Sequence, residues 1–289
     1  MHPHRTMAPV RGALFFTVAL LLAVTIGVAL QQALGLAGII LKPLLLFAGL
    51  AAGWAVYAEH ERPATALRLR PVPLAEAGKS LLLGLVSALL AQALSMLAVA
   101  LLKATGGQIP QLYRDLTYTP FALALVTRAL VPALSEEIAF RGYLQYSLQP
   151  LSARAAVLVS ALLFGAFHLS LIRLIPLTLL GLAFAAASQR SGSVLPAMIM
   201  HFANNALALV LTYYVTIPEV SVPVLLAAVP PLALLAWWLF RWMVPTPDAE
   251  EQVAPTDRKA VVAGLSGCLV PAVLLYVYYV VFEWHTVWP

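Results

Sequence analysis

The sequence predicts an all-α fold: a polytopic transmembrane helix bundle of about eight to nine spans. Three observations carry this. Of 289 residues, 62% are hydrophobic and only 10% are charged, against roughly 45–50% and about 25% in soluble domains. The few charges are unevenly spread, with none between Arg11 and Lys42, a stretch that exceeds the ~20 residues a helical span requires. The apolar runs also lack period-2 alternation and are longer than the roughly 9–11 residues of a barrel strand.

The spans follow from the charge-free stretches. The first covers 12–33, too long an apolar core for a cleaved signal of about 7–15 residues. The second covers 36–57, with Lys42 near one end, where its stem can snorkel. Residues 58–79 form a polar loop. The third span is 80–102 and is followed by a Gly/Pro linker. The fourth, 121–148, carries Arg128, Glu136, Glu137 and Arg141. The fifth to ninth are 153–170, 174–189, 194–215, 221–244 and 260–282, with a Pro-rich charged loop at 245–259. The chain divides into N-terminal spans 1–3 over 1–119, a core over 120–215 and C-terminal spans over 216–289.

Basic residues set the orientation. Eleven of the 17 Lys and Arg lie in the loops on the N-terminal side, among them Arg11, Arg62, Arg68, Arg70, Arg154 and Arg190. Only Lys103, Arg114 and Arg173 lie on the other side, and Lys42, Arg128 and Arg141 fall inside spans. The positive-inside rule predicts a cytoplasmic N-terminus and an external C-terminus in the cell membrane. The net charge of +5 is accounted for in this way. Without a basic run or stripe, nucleic acid is not an expected partner. The single cysteine, Cys268, excludes an intrachain disulfide and a cysteine-rich metal site.

Ionisable groups inside a bilayer are costly, by roughly 2.5–3.5 kcal/mol or more at a helix centre, and so point to function. Three places carry them. In Ser135-Glu136-Glu137-Ile138-Ala139-Phe140-Arg141, the adjacent carboxylates point about 100° apart on a helix. Glu137 and Arg141 are at i and i+4 with the acid first, the favourable order for a pair. Glu136 is left for chemistry on another face. His168 follows Phe164 by one turn on the fifth span. On the seventh span His201 and Asn205 share a face at i and i+4, whereas Asn204 points elsewhere and reads as polar glue between helices. If the fourth, fifth and seventh spans pack together, these groups meet in one polar cavity, expected to open to the cytoplasmic side.

Taken together, Glu136-Glu137-x-x-x-Arg141, Phe164-x-x-x-His168 and His201-x-x-x-Asn205 resemble the three ordered motifs of the CAAX protease and bacteriocin-processing family (CPBP, also called Abi). Its best-known branch is the type II CAAX-prenyl endopeptidases. The resemblance covers about residues 120–215. It implies an intramembrane endopeptidase acting on a membrane-associated peptide or protein. Glu136 and His168 would activate a water, His201 and Asn205 would stabilise the oxyanion, and Glu137 and Arg141 would orient the site. No cofactor is implied by that mechanism. Zinc is the alternative, since two histidines and a glutamate can bind it. The lack of a His-Glu-x-x-His sequence and the spread over three helices favour the metal-free form. Two other readings stand beside the peptidase: a non-catalytic family member that binds a peptide, and a proton-coupled transporter. Intact motifs argue against the first. The absence of inverted repeats argues against the second.

Overall fold

In hydrocarbon there is no water to satisfy backbone N–H and C=O groups, so a spanning chain folds into helices that satisfy them internally. The computed structural model describes residues 7–60, 62–108, 119–215, 221–243 and 258–287, and among these it is helical with no strand. Arg5, Glu61, Arg114 and the loop 245–257 lie outside the described residues.

The first pass joins α1 (Ala8–Val24) to α2 (Ile26–Leu34). Gly35, at φ 54°, turns the chain into α3 (Leu36–Pro43). A π-helical segment (Leu44–Gly49) then leads to α4 (Leu50–Tyr57). After the short α5 (Pro63–Ala66) comes α6 (Leu74–Ala104). The fourth pass is one continuous rod, built from α7 (Phe121–Ala124), a π-helical segment (Leu125–Leu130), α8 (Val131–Glu137), a second π-helical segment (Ile138–Leu144) and α9 (Gln145–Leu148). Then follow α10 (Ala153–Phe167), α11 (Leu171–Ser191), α12 (Leu195–Tyr214), α13 (Val222–Met243) and α14 (Arg258–Val287). Among the described residues seven of these helical stretches are long and apolar enough to cross a membrane. The 15-residue α10 is apolar but shorter, and the fourth pass lies outside that count. The protein is an integral membrane protein.

Several span boundaries differ from the sequence expectation, among them the start of the first at Ala8 and the end of the last at Val287, and two of them shape the site. The third span starts at Leu74 rather than 80, because Pro73 ends an extended segment and Glu76 falls in the first helical turn, where a negative charge suits the helix dipole. The fifth span stops at Phe167 rather than 170. His168 caps it, Leu169 takes φ 51°, and Ser170 starts α11 by accepting a hydrogen bond from the Arg173 N–H.

The two ends of the bundle are tied differently. At one, the loop after α5 docks on the α11–α12 turn. The Arg68 carbonyl accepts from the Val194 N–H at 3.1 Å, Ser193 donates to the Arg70 carbonyl, and the Arg68 guanidinium donates to the Ser188 carbonyl at 2.8 Å. Burial there, reinforced by Arg70, pushes the Arg68 pKa down to about 10. At the other end, Gln108 donates to the Val287 carbonyl, Tyr213 donates to the Thr119 carbonyl, and Glu283 accepts from Ser170. We call these the Arg68 end and the Glu283 end.

Small residues let the passes approach closely. A Cβ on Gly84 of α6 would lie 2.7 Å from Cα of Met200 on α12, and one on Gly165 of α10 would lie 2.9 Å from the Leu174 carbonyl of α11. A cluster of buried rings, including Phe15, Phe16, Phe140 and Phe164, fills the space between α1, the fourth pass and α10. The site lies on the far side of Phe164 from that cluster.

Candidate active site

The fourth pass carries the first motif at the junction of α8 and its second π-helical segment. Such segments break the regular i→i−4 ladder and are frequent at functional sites. Glu137 and Arg141 are both fully buried, and Arg141 Nη1 donates to Glu137 Oε1 at 2.9 Å. Arg141 Nη2 donates to the Gly181 carbonyl of α11 at 3.0 Å. Its guanidinium carbon lies 4.3 Å from the centre of the Phe164 ring, within cation–π range. The charge is thus paired, hydrogen-bonded and faced by an aromatic ring, while Arg141 Nε and Glu137 Oε2 are buried with no hydrogen-bond partner among the described residues.

Glu137 also serves a third helix. His201 Nδ1 lies 2.7 Å from the same Oε1. The His201 ring stacks on Phe184 at 5.3 Å and meets Phe164 edge-on at 5.8 Å. One carboxylate therefore fixes the orientation of a histidine 64 residues away, a coupling the sequence spacing did not reveal. His168 is fixed differently: its Nδ1 donates to the Phe164 carbonyl at 2.9 Å. That bond sets the tautomer with Nε2 as the available lone pair.

Asn205 is placed by a proline. Pro132 has no N–H, so the carbonyl of Arg128, four residues earlier, loses its ordinary helical donor. Asn205 Nδ2 donates to that carbonyl at 3.1 Å. Asn204, expected to point away as interhelical glue, instead donates through Nδ2 to Asn205 Oδ1 at 2.9 Å and lines the same cavity. With Oδ1 accepting and Nδ2 donating once, Asn205 keeps one amide hydrogen to offer.

The cavity measures about 310 Å³. Glu136, His168, His201 and Asn205 all line it, so the structure brings together four of the six residues singled out by sequence. Glu137 and Arg141 do not line it; they form the layer beneath His201. Glu136 makes no hydrogen bond among the described residues. Lys42, read as a snorkelling residue, packs its stem near Gly27 and lies within electrostatic reach of Glu136. Two lining residues on α11, Leu177 and Leu180, supply an apolar wall.

The lining of the cavity extends along three passes. On the fourth pass it runs from Glu136 back through Pro132 to Arg128 and Thr127, on α11 from Phe184 back to Leu177, and on α12 from His201 on to Asn205. All three run toward the Glu283 end. Toward the Arg68 end the path is closed by fully buried Glu137, Arg141, Tyr143 and Gln145. In that layer Glu137 pairs with Arg141, Tyr143 donates to Glu59, and Gln145 donates to the Ala185 carbonyl and to Gln189.

One residue outside the motifs braces the site. Glu283, near the end of α14, accepts from Ser170 Oγ and from the Leu171 N–H, each at 2.7 Å. It caps α11 and anchors the turn that follows His168. A carboxylate close to an otherwise apolar span end was its signal in the sequence.

No cluster of three or more His, Cys, Asp or Glu side chains suited to holding a metal occurs among the described residues. Glu137 is committed to Arg141 and His201, and His168 Nδ1 to a backbone carbonyl.

A family model described as type II CAAX prenyl endopeptidase Rce1-like matches residues 118–207. That stretch of the chain is Rce1-like. It holds the fourth pass, α10, α11 and the part of α12 that carries His201 and Asn205, so every residue named by the three motifs falls inside it. The matched family is one of proteases that act within membranes. No curated protein and no solved structure matches the chain.

Proposed function

We propose that this protein is an intramembrane endopeptidase that hydrolyses a peptide bond of a membrane-associated protein or peptide with a water activated by Glu136 and His168. The observation that carries this is the convergence of Glu136, His168, His201 and Asn205 on one cavity within the Rce1-like stretch. Glu136 is the general base. It takes a proton from water that His168 orients through Nε2, and attack on the scissile carbonyl gives a tetrahedral oxyanion. The spare amide hydrogen of Asn205 and Nε2–H of His201 donate to that oxygen, the interaction that typically contributes most to acyl-transfer rates. His201 gives Nδ1–H to Glu137, so its Nε2 donates to that oxygen only with the ring carrying both protons. The proton held by Glu136 then passes to the leaving amine. No metal takes part in this scheme.

The experiment is substrate trapping. A Glu136→Gln variant in native membranes should retain a bound polypeptide that photo-crosslinks from position Leu177, and the wild type should release the same polypeptide in cleaved form. Recovery of intact, uncleaved polypeptide from both would remove catalysis and leave a binding protein.

A further inference from the structure

The sidedness of the cavity names a substrate class. Two independent observations combine. The first is where the cavity lies. Its outermost lining residues, Thr127 and Leu177, are each six residues from the Glu283-end termini of their passes, Phe121 and Leu171, roughly 9 Å along a helix axis. On the opposite side the fully buried layer of Glu137, Arg141, Tyr143 and Gln145 closes the bundle. Below that layer the loop carrying Arg68 and Arg70 is bonded across the α11–α12 turn. A polypeptide reaching Glu136 from the Arg68 end would have to break the buried ion pair and unseat this loop.

The second observation is charge. The Arg68 end holds Arg11, Arg62, Arg68, Arg70, Arg154 and Arg190. The Glu283 end holds Lys103 and Arg173 among the described residues. Basic loops stay in the cytoplasm, so the Arg68 end is cytoplasmic and the closed face of the site looks inward.

We propose that substrate enters from the extracytoplasmic side: the polypeptide cleaved is a translocated, membrane-anchored segment, not a lipidated tail displayed in the cytosol. This rests on the peptidase reading above. It reverses the access that a cytosolic prenylated substrate would need. The scissile segment reaches the cavity between the fourth pass, α11 and α12 from outside, and Glu283 holds the turn at the mouth. The Leu177 and Leu180 wall takes an apolar side chain of the substrate.

Cysteine accessibility tests the proposal without relying on activity, so it fails separately from the peptidase reading, which trapping with Glu136→Gln tests. In a Cys268→Ala background, single substitutions Ala104→Cys at the Glu283 end, Ala64→Cys at the Arg68 end, and Leu177→Cys and Thr127→Cys in the cavity are expressed in spheroplasts. They are exposed to a membrane-impermeant maleimide before and after permeabilisation. Ala104→Cys and at least one of the two cavity variants should label before permeabilisation, and Ala64→Cys only after it. Labelling of Ala64→Cys with protection of Ala104→Cys would put the cavity on the cytoplasmic side and overturn the proposal. Labelling of Ala104→Cys while both cavity variants stay protected until detergent is added would overturn it too, by showing the cavity closed to the outside.

Discussion

Replacing Glu137 by Gln strands the Arg141 guanidinium. In the wild type that group has no exposed surface and is held by Glu137 Oε1, the Gly181 carbonyl and the face of Phe164. Without the carboxylate charge, one carbonyl and one ring remain to compensate a buried cation. Removing one partner of a buried pair costs about 3–5 kcal/mol, whereas replacing both by apolar groups is often neutral. Both Glu137→Gln and Arg141→Met should therefore destabilise strongly, and the double variant should recover much of the loss, with a coupling of up to about 3 kcal/mol. Scaled by the unfolding entropy of a chain this size, each single change lowers the unfolding midpoint by on the order of 10 °C. The assay is the fraction of protein remaining monodisperse in detergent after a temperature series, for the wild type, both single variants and the double. The double variant should remain poorly active although folded, because His201 loses the carboxylate that orients it. Additive losses, or single variants that unfold at the wild-type temperature, would refute the idea that one buried pair holds this layer together.

Other outcomes follow from the same geometry. Asn205→Ala should lower the cleavage rate by about 10²–10³, the usual effect of losing one oxyanion donor, with Asn204→Ala milder because it removes a contact to Asn205; single-turnover cleavage separates them. Glu283→Ala should cost about 0.5–2 kcal/mol, as loss of a helix cap does, and should lower kcat more than raise KM, since the turn after His168 loosens; Glu283→Gln, which keeps an acceptor, should restore part of both. Activity of the purified protein should survive exhaustive chelation, measured with a cleavable peptide before and after; activity lost on chelation and regained with stoichiometric zinc would replace the metal-free mechanism.

How much of this was legible in the sequence depended on distance along the chain. Helical spans were readable because long apolar runs without alternation have one solution in a bilayer. The Glu137–Arg141 pair was readable because i and i+4 meet on any helix, and the shared face of His201 and Asn205 for the same reason. The His201–Glu137 contact was not, because it depends on how α12 packs on the fourth pass, which small residues such as Gly84 decide. Asn204 was misread because helix geometry gives a direction from its own axis and does not say what the next helix presents there. Pro132 was a usable but unread signal: a proline inside a span frees the carbonyl four residues back, and here that carbonyl receives Asn205. The course of the cavity was hidden, since it depends on which side chains of neighbouring passes are buried against one another.

The central claim is that Glu136 activates the attacking water. Its most direct measurement compares wild type and Glu136→Gln, reconstituted at equal amounts and with equal unfolding midpoints, against a defined panel of membrane-anchored peptides, with new termini read by mass spectrometry. The account predicts a discrete new terminus from the wild type and none from Glu136→Gln over the same period. Cleavage at the same bond and at a comparable rate by the variant would contradict it.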